Sequence, residues 1–321
     1  MDFRKLRVVF AGNPHIAVGA LRSLAAACHV VAVITNPDRP AGRGRVLESP
    51  QIKTAALELG LPVFQYDRLL AQARNDIGAL HPDVLVSFAC GFYFGPKFLS
   101  LFPLAAVNIH PSLLPRYRGC SPIQYALLNG DGKTGITIQR ISSEVDCGNV
   151  LACQEIELEG TETTDSLSEK VSEFAGPLVV STLRQMFDGH VRELVQDGRH
   201  ATYAPMIAKE DGQIDWSDSA KHLHAKIRAL QHWPRAVTTW DKTSLSVTAV
   251  YGPLSEAGIE PVPTNTEPGT VLAFVKHKGL AIATGDGILY VSRLQPSMKR
   301  EMDSAAFVNG HPKIIGSVLG T

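Results

Sequence analysis

The chain has 321 residues, of which 45% are hydrophobic and 19% charged, and its 31 basic and 31 acidic side chains cancel to a formal charge of zero. This length is more than one hydrophobic core usually holds, so two domains are expected, and the composition excludes an intrinsically disordered chain. Zero net charge excludes a general electrostatic attraction to nucleic acid, although a local basic patch could still bind phosphate.

The cysteines and the apolar runs indicate the cellular compartment in which the protein is expected. Five cysteines are present, an odd number, and no two of them form a C-x-x-C pair. Neither a disulfide framework nor a zinc site is therefore indicated, and a reduced, cytoplasmic protein is expected. No apolar stretch approaches the roughly 18 residues that predict a transmembrane helix, so we expect no membrane association.

The first half of the chain alternates short β-branched apolar runs with longer helical patterns. The predicted strands are LRVVFAG, HVVAVIT, LPVFQ, DVLVSFA and AAVNIH, and the helices between them include AVGALRSLAAAC, QIKTAALELG and RLLAQARNDIGAL. This alternation predicts an α/β fold with a Rossmann-like, doubly wound and mostly parallel sheet. A helix, PIQYALLNGD, two further strands, TGITIQRI and NVLACQEIEL, and a long amphipathic helix, TTDSLSEKVSEFAGPLVVSTLRQMF, follow.

The pattern changes near Asp188, which predicts a domain boundary. We expect a first domain over residues 1–188, a linker over 189–206 that is poor in apolar positions, and a second domain over 207–321. The second domain opens with the helical SDSAKHLHAKIRAL and continues as short strands between turns rich in Gly, Pro and Asn. These features predict a small C-terminal β-barrel, similar to an OB fold.

Several common kinds of site are not supported. The first strand–helix turn, AGNPHIAVGA, lacks the G-x-G-x-x-G of dinucleotide-binding folds, and no phosphate-binding P-loop or G-x-S-x-G nucleophile motif occurs. His222 and His224 are two positions apart on a predicted helix, so they point in different directions and make a poor metal pair. No metal site is expected.

Asn108 and His110 are the strongest candidates for chemistry. They lie two positions apart on one strand and therefore share a face, at the carboxyl end where open α/β sheets bind ligands. Pro111 favours an extended conformation at His110. A strand-end histidine bonded to a backbone carbonyl is the simpler interpretation, but Asp146, in a glycine-containing loop after the next strand, could reach the same cleft.

An Asn, His and Asp set without a nucleophilic Ser or Cys indicates direct transfer of a group to an amine or to water. The imidazole would accept a proton, the amide would stabilise an oxyanion and the carboxylate would orient the histidine. An imidazole suits this reaction because an α-amine titrates at about 7.7 to 8.0, close enough to be deprotonated by a base of near-neutral pKa.

The segments NIHPSLLPRYRGCSPIQ and TGITIQRISSEVDCGNVL resemble those of the folate-dependent formyltransferases. The similarity extends over nearly the whole chain, through VVFAGNPHIAV, NPDRPAGRGR, KEDGQIDWSDSA and ATGDGILYVSRLQP. The NPDRPAGRGR loop and the two C-terminal segments resemble in particular the branch of the family that acts on charged tRNA. The resemblance implies an enzyme of translation initiation. Its formyl donor would be 10-formyltetrahydrofolate, and its acceptor the amino group of methionine on initiator methionyl-tRNA.

The resemblance also implies roles for individual residues. His110 would be the general base, Asn108 the oxyanion stabiliser and Asp146 the group that orients His110. The folate would be bound by Ser112, Leu113, Leu114 and Pro115, with a possible cis bond between the last two, and by Phe88, Ala89, Cys90 and Gly91. A monomer is the expectation for such an enzyme.

Three arginines, Arg39, Arg43 and Arg45, lie in a loop rich in Pro and Gly that is longer than a plain βα connection needs. Such charged loops are usually only solvated, but arginines on an adaptable backbone beside a cleft can bind phosphate. By resemblance this loop would contact the acceptor end of the tRNA. A formyltetrahydrofolate hydrolase and a sugar-nucleotide formyltransferase remain the alternative functions.

Overall fold

The computed structural model describes residues 2–41 and 46–320. The chain forms two compact units, each built from three separate stretches. The first unit comprises Met1–Gly119, Thr134–Ile156 and Ser168–Tyr203, and the second comprises Cys120–Lys133, Glu157–Leu167 and Ala204–Thr321. The proposed boundaries at 188 and 206 stay a prediction.

The elements up to the long helix follow the predicted alternation, with three short strands and one short helix that the sequence did not predict. In chain order they are β1 (Arg7–Gly12), α1 (Val18–Ala27), β2 (His29–Thr35), β3 (Arg39–Ala41), β4 (Val46–Glu48), α2 (Gln51–Glu58), β5 (Val63–Gln65), α3 (Ala71–Gly78), β6 (Val84–Phe88), α4 (Pro96–Leu99), β7 (Ala105–His110), β8 (Arg118–Gly119), α5 (Pro122–Leu128), β9 (Lys133–Arg140), β10 (Val150–Glu157) and α6 (Thr164–Phe187).

The main sheet has the strand order β10-β9-β7-β6-β1-β2-β5. The pairs β7–β6, β6–β1, β1–β2 and β2–β5 are parallel, and β9 joins β7 in the antiparallel direction. All five residues of β6 are buried, as expected for a strand covered by helices on both faces. The predicted α/β architecture with a mostly parallel sheet is therefore confirmed.

Helices α1 and α6 approach each other closely through small residues. A Cβ on Gly19 would lie 2.4 Å from the Ser172 carbonyl oxygen, and a Cβ on Gly176 would lie 2.2 Å from Ser23 Oγ. Both distances are shorter than any side-chain carbon tolerates, so these glycines set how tightly the helices pack against each other.

The remaining elements are β11 (Tyr203–Ala204), α7 (Ala220–Ala229), β12 (Ala236–Trp240), β13 (Thr243–Val250), β14 (Val271–Val275), β15 (Gly279–Ala283), β16 (Ile288–Pro296), β17 (Met302–Asp303) and α8 (Ser304–Gly310). The strands form an antiparallel sheet of order β12-β13-β16-β15-β14, with β17 paired to β16. Its core includes Trp216, Leu223, Ile227 and Phe307. The expected strand-rich C-terminal part is thus an antiparallel sheet.

None of the helices in the described part of the chain is long and apolar enough to cross a lipid bilayer.

Candidate active site

The site is built on the antiparallel pair β7 and β9. Asn108 lies directly opposite Gln139, and His110 lies directly opposite Thr137. Directly opposed residues of an antiparallel pair project to the same face, so one face carries two amides, an imidazole and a hydroxyl. Thr137 and Gln139 were missed in the sequence interpretation. The signal was present, because both are polar positions of the alternating strand TGITIQR.

His110 is almost completely buried, with 4% of its surface exposed. Its Nε2 lies 2.8 Å from the carbonyl oxygen of Tyr117. A carbonyl can only accept, so Nε2 carries the proton and donates it. Nδ1 faces Asp146, whose Oδ1 is 3.5 Å away.

Burial lowers the pKa of the His110 imidazole below its ordinary value of 6.5, against the opposing effects of the Asp146 carboxylate and the Tyr117 carbonyl. The ring is therefore neutral at pH 7, with its lone pair on Nδ1. A separation of 3.5 Å is too long for a hydrogen bond between Nδ1 and Asp146, but a proton arriving on Nδ1 would meet a carboxylate. The Asp146 carboxylate therefore offsets part of the cost that burial places on the protonated ring.

Asp146 is held by two hydrogen bonds from different parts of the first unit. Its Oδ1 accepts from Gln139 Nε2 at 2.7 Å, and its Oδ2 accepts from the backbone N–H of Gly119 at 2.9 Å. The residue has a φ of +55°, in the left-handed region. Gly148 makes the loop possible, because a Cβ there would lie 1.7 Å from the Arg140 carbonyl oxygen. The structure thus brings Asn108, His110 and Asp146 together.

Side-chain hydrogen bonds also hold the turn after His110. Thr137 Oγ1 donates to the Ser112 carbonyl at 2.7 Å and accepts from the Leu114 N–H at 3.2 Å. Ser112 is fully buried, and its hydroxyl donates to the Arg116 carbonyl at 2.6 Å. Its side chain therefore supports the turn from within. Leu113, Leu114 and Pro115 are half-buried, and the Leu114–Pro115 bond is cis, as predicted.

The loop after β6 lies beside this strand end, because Phe88 is in register with Ile109 of β7. Phe88 is buried, whereas Ala89 and Gly91 are exposed. Ser87 Oγ lies 3.0 Å from Cys90 Sγ. Burial raises the pKa of the Cys90 thiol, which keeps the group protonated and unreactive.

The basic loop is only partly described. Arg39 lies on β3, which pairs with β4, and its exposed guanidinium is 3.4 Å from the exposed Asp67 carboxylate. Arg43 and Arg45 lie outside the described residues. Within the residues that the structure describes, no group of three or more His, Cys, Asp or Glu side chains is placed to hold a metal ion.

Comparisons with known proteins identify the family of this chain. Residues 6–183 match the family model described as "Formyl transferase", and residues 206–312 match "Formyl transferase, C-terminal domain". The methionyl-tRNA formyltransferase of Treponema denticola is 38% identical over 318 residues, which cover 97% of this chain and 98% of that protein. The Bacillus subtilis enzyme of the same name is 37% identical, covering 98% of each.

A solved structure has the same fold at low sequence identity. It is HypX from Aquifex aeolicus in complex with tetrahydrofolic acid, with a TM-score of 0.62 and 17% identity, and it covers 96% of this chain and 48% of that one. At that identity the likeness concerns the fold. The near-complete matches to the curated relatives carry the assignment, and by them this chain belongs to the methionyl-tRNA formyltransferase family.

Proposed function

We propose that the protein transfers the formyl group of 10-formyltetrahydrofolate to the free amino group of methionine on initiator methionyl-tRNA, a step of translation initiation. The observation that carries this proposal is the buried, neutral His110, held between the Tyr117 carbonyl and the Asp146 carboxylate on the strand that also bears Asn108. The full-length similarity to enzymes of that name supports the same reaction.

In this reaction 10-formyltetrahydrofolate is a substrate. The amine nitrogen attacks the formyl carbon, a new C–N bond forms, and the bond from that carbon to N10 of the folate breaks. His110 accepts one amine proton on Nδ1, since Nε2 already donates to Tyr117, and N10 ends with a proton. Asp146 stabilises the imidazolium that forms in between.

Asn108 is proposed to stabilise the oxyanion. Among the described residues, no hydrogen bond is recorded for its half-buried side chain, so both amide hydrogens are available to an oxygen that becomes negatively charged. A preorganised donor of this kind stabilises the transition state more than the ground state.

The folate is proposed to bind along the turn after His110. The half-buried apolar side chains of Leu113, Leu114 and Pro115 suit an aromatic ring, and Ser112 supports the turn. Phe88, Ala89, Cys90 and Gly91 form the neighbouring loop, where exposed backbone groups at Ala89 and Gly91 could bond the ring's polar edge.

The tRNA is proposed to contact Arg39, Arg43 and Arg45 and the C-terminal part of the chain. There the antiparallel sheet of residues 207–321 would be an OB-like barrel joined to a catalytic domain of residues 1–188 through a linker, 189–206. A monomeric, cytoplasmic enzyme without a metal is part of the same proposal.

The proposal is tested by incubating the protein with 10-formyltetrahydrofolate and charged initiator tRNA, and by measuring formyl-methionine. The parent protein should form it, and His110→Ala should lower kcat by about 100-fold or more, the usual range for loss of a general base, while folate still binds. His190→Ala, at an exposed histidine, should match the parent.

Release of formate without formyl-methionine would replace the proposal with a formyltetrahydrofolate hydrolase, and transfer to an amino sugar nucleotide would replace it with a sugar-nucleotide enzyme. Unchanged turnover in His110→Ala would refute the assignment of the base.

A further inference from the structure

Gln196 links the loop that carries Asp146 to the segment that carries Arg118 and Gly119. Its Nε2 donates to the carbonyls of Asp146 at 2.9 Å and of Gly148 at 2.7 Å. Its Oε1 accepts from Arg118 Nε and Nη2 at 3.1 Å and 2.8 Å. Arg118 is 7% exposed and precedes Gly119, whose N–H binds Asp146 Oδ2. The Gln196 amide therefore connects the loop that carries Asp146 with the segment of Arg118 and Gly119 by hydrogen bonds.

Thr202 holds the other partner of His110. Its Oγ1 accepts from the N–H of Tyr117 at 2.9 Å, and its carbonyl accepts from the N–H of Arg118 at 2.9 Å. Its own N–H donates to the Pro115 carbonyl. Tyr117 has a φ of +58°, which an L residue adopts only when its surroundings hold it there. Thr202 thus positions the carbonyl that accepts the hydrogen bond from His110 Nε2.

The residues just before Gln196 are anchored to the same part of the first unit. Leu194 exchanges two backbone hydrogen bonds with Val150, of 2.8 Å and 2.9 Å. Glu193 accepts from Arg140 Nε at 2.6 Å and from Asn149 Nδ2 at 3.0 Å. We call residues 193–202 the strap. It runs along the loop that carries Asp146 and reaches the turn that carries Tyr117.

We propose that the strap positions both groups that flank His110, and that Gln196 and Thr202 are positioning residues of the formyl transfer. This inference rests on the proposed function. Among the described residues, the strap's side chains contact the partners of His110, without a recorded contact to the imidazole itself. Changes in them should therefore act on kcat, with little effect on substrate binding.

The pH dependence of activity separates positioning from a general structural role. Asp146 and the Tyr117 carbonyl both raise the pKa of His110 against its burial. The same loops also carry the ionisable side chains of Arg116, Arg118 and Glu144, and the thiol of Cys147, whose pKa burial raises so that it stays neutral. If either partner moves away, burial lowers the pKa of His110 further, and the acid limb of kcat/KM moves to lower pH.

The experiment compares Gln196→Met and Thr202→Val with Thr202→Ser and Asp197→Asn in the full-length protein. Methionine keeps the length of Gln196 without its hydrogen bonds, and valine keeps the shape of Thr202 without its hydroxyl. Both should lower kcat about tenfold to hundredfold, as small misplacements of catalytic groups do, with each KM within twofold and the acid limb shifted downward.

Thr202→Ser keeps the hydroxyl and should retain kcat within about threefold. Asp197→Asn lies within the strap, but the Asp197 carboxylate pairs with the exposed Arg199, so that variant should match the parent. If Gln196→Met fails to fold, as judged by its thermal midpoint, the valine and serine variants at position 202 carry the test alone.

The inference is overturned if kcat in the methionine and valine variants stays within twofold of the parent. It is also overturned if these variants raise KM while the acid limb of the kcat/KM profile stays at the parental pH. The same holds if Thr202→Ser lowers kcat as much as Thr202→Val does. These results are distinct from failure of the proposed function, in which the parent protein itself forms no formyl-methionine.

Discussion

Among the described residues, the side-chain amide of Asn108 has no hydrogen-bond partner. It is half-buried on β7, opposite Gln139, and the Gln139 amide donates to Asp146. Of the two opposed amides, one therefore supports the carboxylate and the other stays available to a ligand. An amide in that position can donate to an oxyanion without adding charge to the buried imidazole nearby.

Asn108→Ala should therefore lower kcat about 100-fold to 1,000-fold, equivalent to roughly 2.7 to 4 kcal/mol of transition-state stabilisation. KM for each substrate should change little, since the lost contact strengthens only as the oxyanion develops. The measurement is steady-state formylation, with Asn75→Ala on the exposed surface of α3 as control. A variant with normal kcat and a raised KM would show that Asn108 only binds substrate.

His110 combines a structural hydrogen bond with the proposed role of general base. A backbone-bonded strand-end histidine was the simpler interpretation, and the bond to the Tyr117 carbonyl exists. That same bond fixes the tautomer and directs the lone pair of Nδ1 toward Asp146. No pattern in the sequence indicates this, because the carbonyl comes from a turn seven residues later in a left-handed conformation.

At the scale of single elements, α7 contains a buried histidine with no part in the proposed chemistry. His222 is half-exposed whereas His224 has no exposed surface, which confirms that the two point in different directions. His224 Nε2 donates to the Gly252 carbonyl at 3.0 Å, and Nδ1 accepts from Arg228 Nε at 3.1 Å. Both ring nitrogens are therefore occupied in the neutral form, and a second proton on Nδ1 would break the bond from Arg228.

Burial and the neighbouring Arg228 lower the pKa of His224 to about 4 from an ordinary 6.5. As the pH falls below 6.5, the unfolded state binds the proton before the folded state does. The contribution of neutral His224 to the free energy of unfolding is therefore complete above pH 6.5 and is lost progressively as the pH falls to about 4. We expect the free energy of unfolding to fall by about 3 kcal/mol over this range from His224 alone.

The measurement is urea unfolding at several pH values between 7 and 4. All three tryptophans, Trp216, Trp233 and Trp240, lie in the second unit, so their fluorescence reports on it. His224→Gln should show a shallower pH dependence than the parent, and His222→Gln, two residues earlier on the same helix, should show the parental one. Parallel curves for His224→Gln and the parent would contradict the prediction.

At the scale of the whole molecule, the sequence indicates those features that depend on apolar burial. The five parallel strands and their helices are visible as hydrophobic runs, and the structure has them. The strap escapes such an analysis because hydrogen bonds hold it, as at Gln196 and Thr202. A stretch with few apolar positions looks like a linker, and nothing local to it identifies Asp146 or Tyr117 as its partners.

The second unit also depends on long-range hydrogen bonds that the sequence does not indicate. Glu157–Leu167 belongs to it, although these residues precede the predicted second domain. Arg228 of α7 donates to the Glu162 carbonyl, Thr164 Oγ1 donates to the Ala229 carbonyl at 2.6 Å, and the Leu254 N–H donates to the Gly160 carbonyl at 2.9 Å. A buried guanidinium such as Arg228, 6% exposed, depends on acceptors of this kind.

Expressing residues 207–321 alone should therefore give a fragment much less stable than the same residues in the full chain. The cut removes the Glu162 carbonyl, which accepts from Arg228 Nη1, and leaves that part of a buried cation without its acceptor, at a cost of several kcal/mol. Urea unfolding followed by tryptophan fluorescence measures the difference, and Arg228→Met in the fragment should recover part of the loss, since an apolar side chain there needs no acceptor. A fragment that unfolds at the same urea concentration as the intact chain would show that the other parts of the second unit, residues 120–133, 157–167 and 204–206, add nothing to its stability.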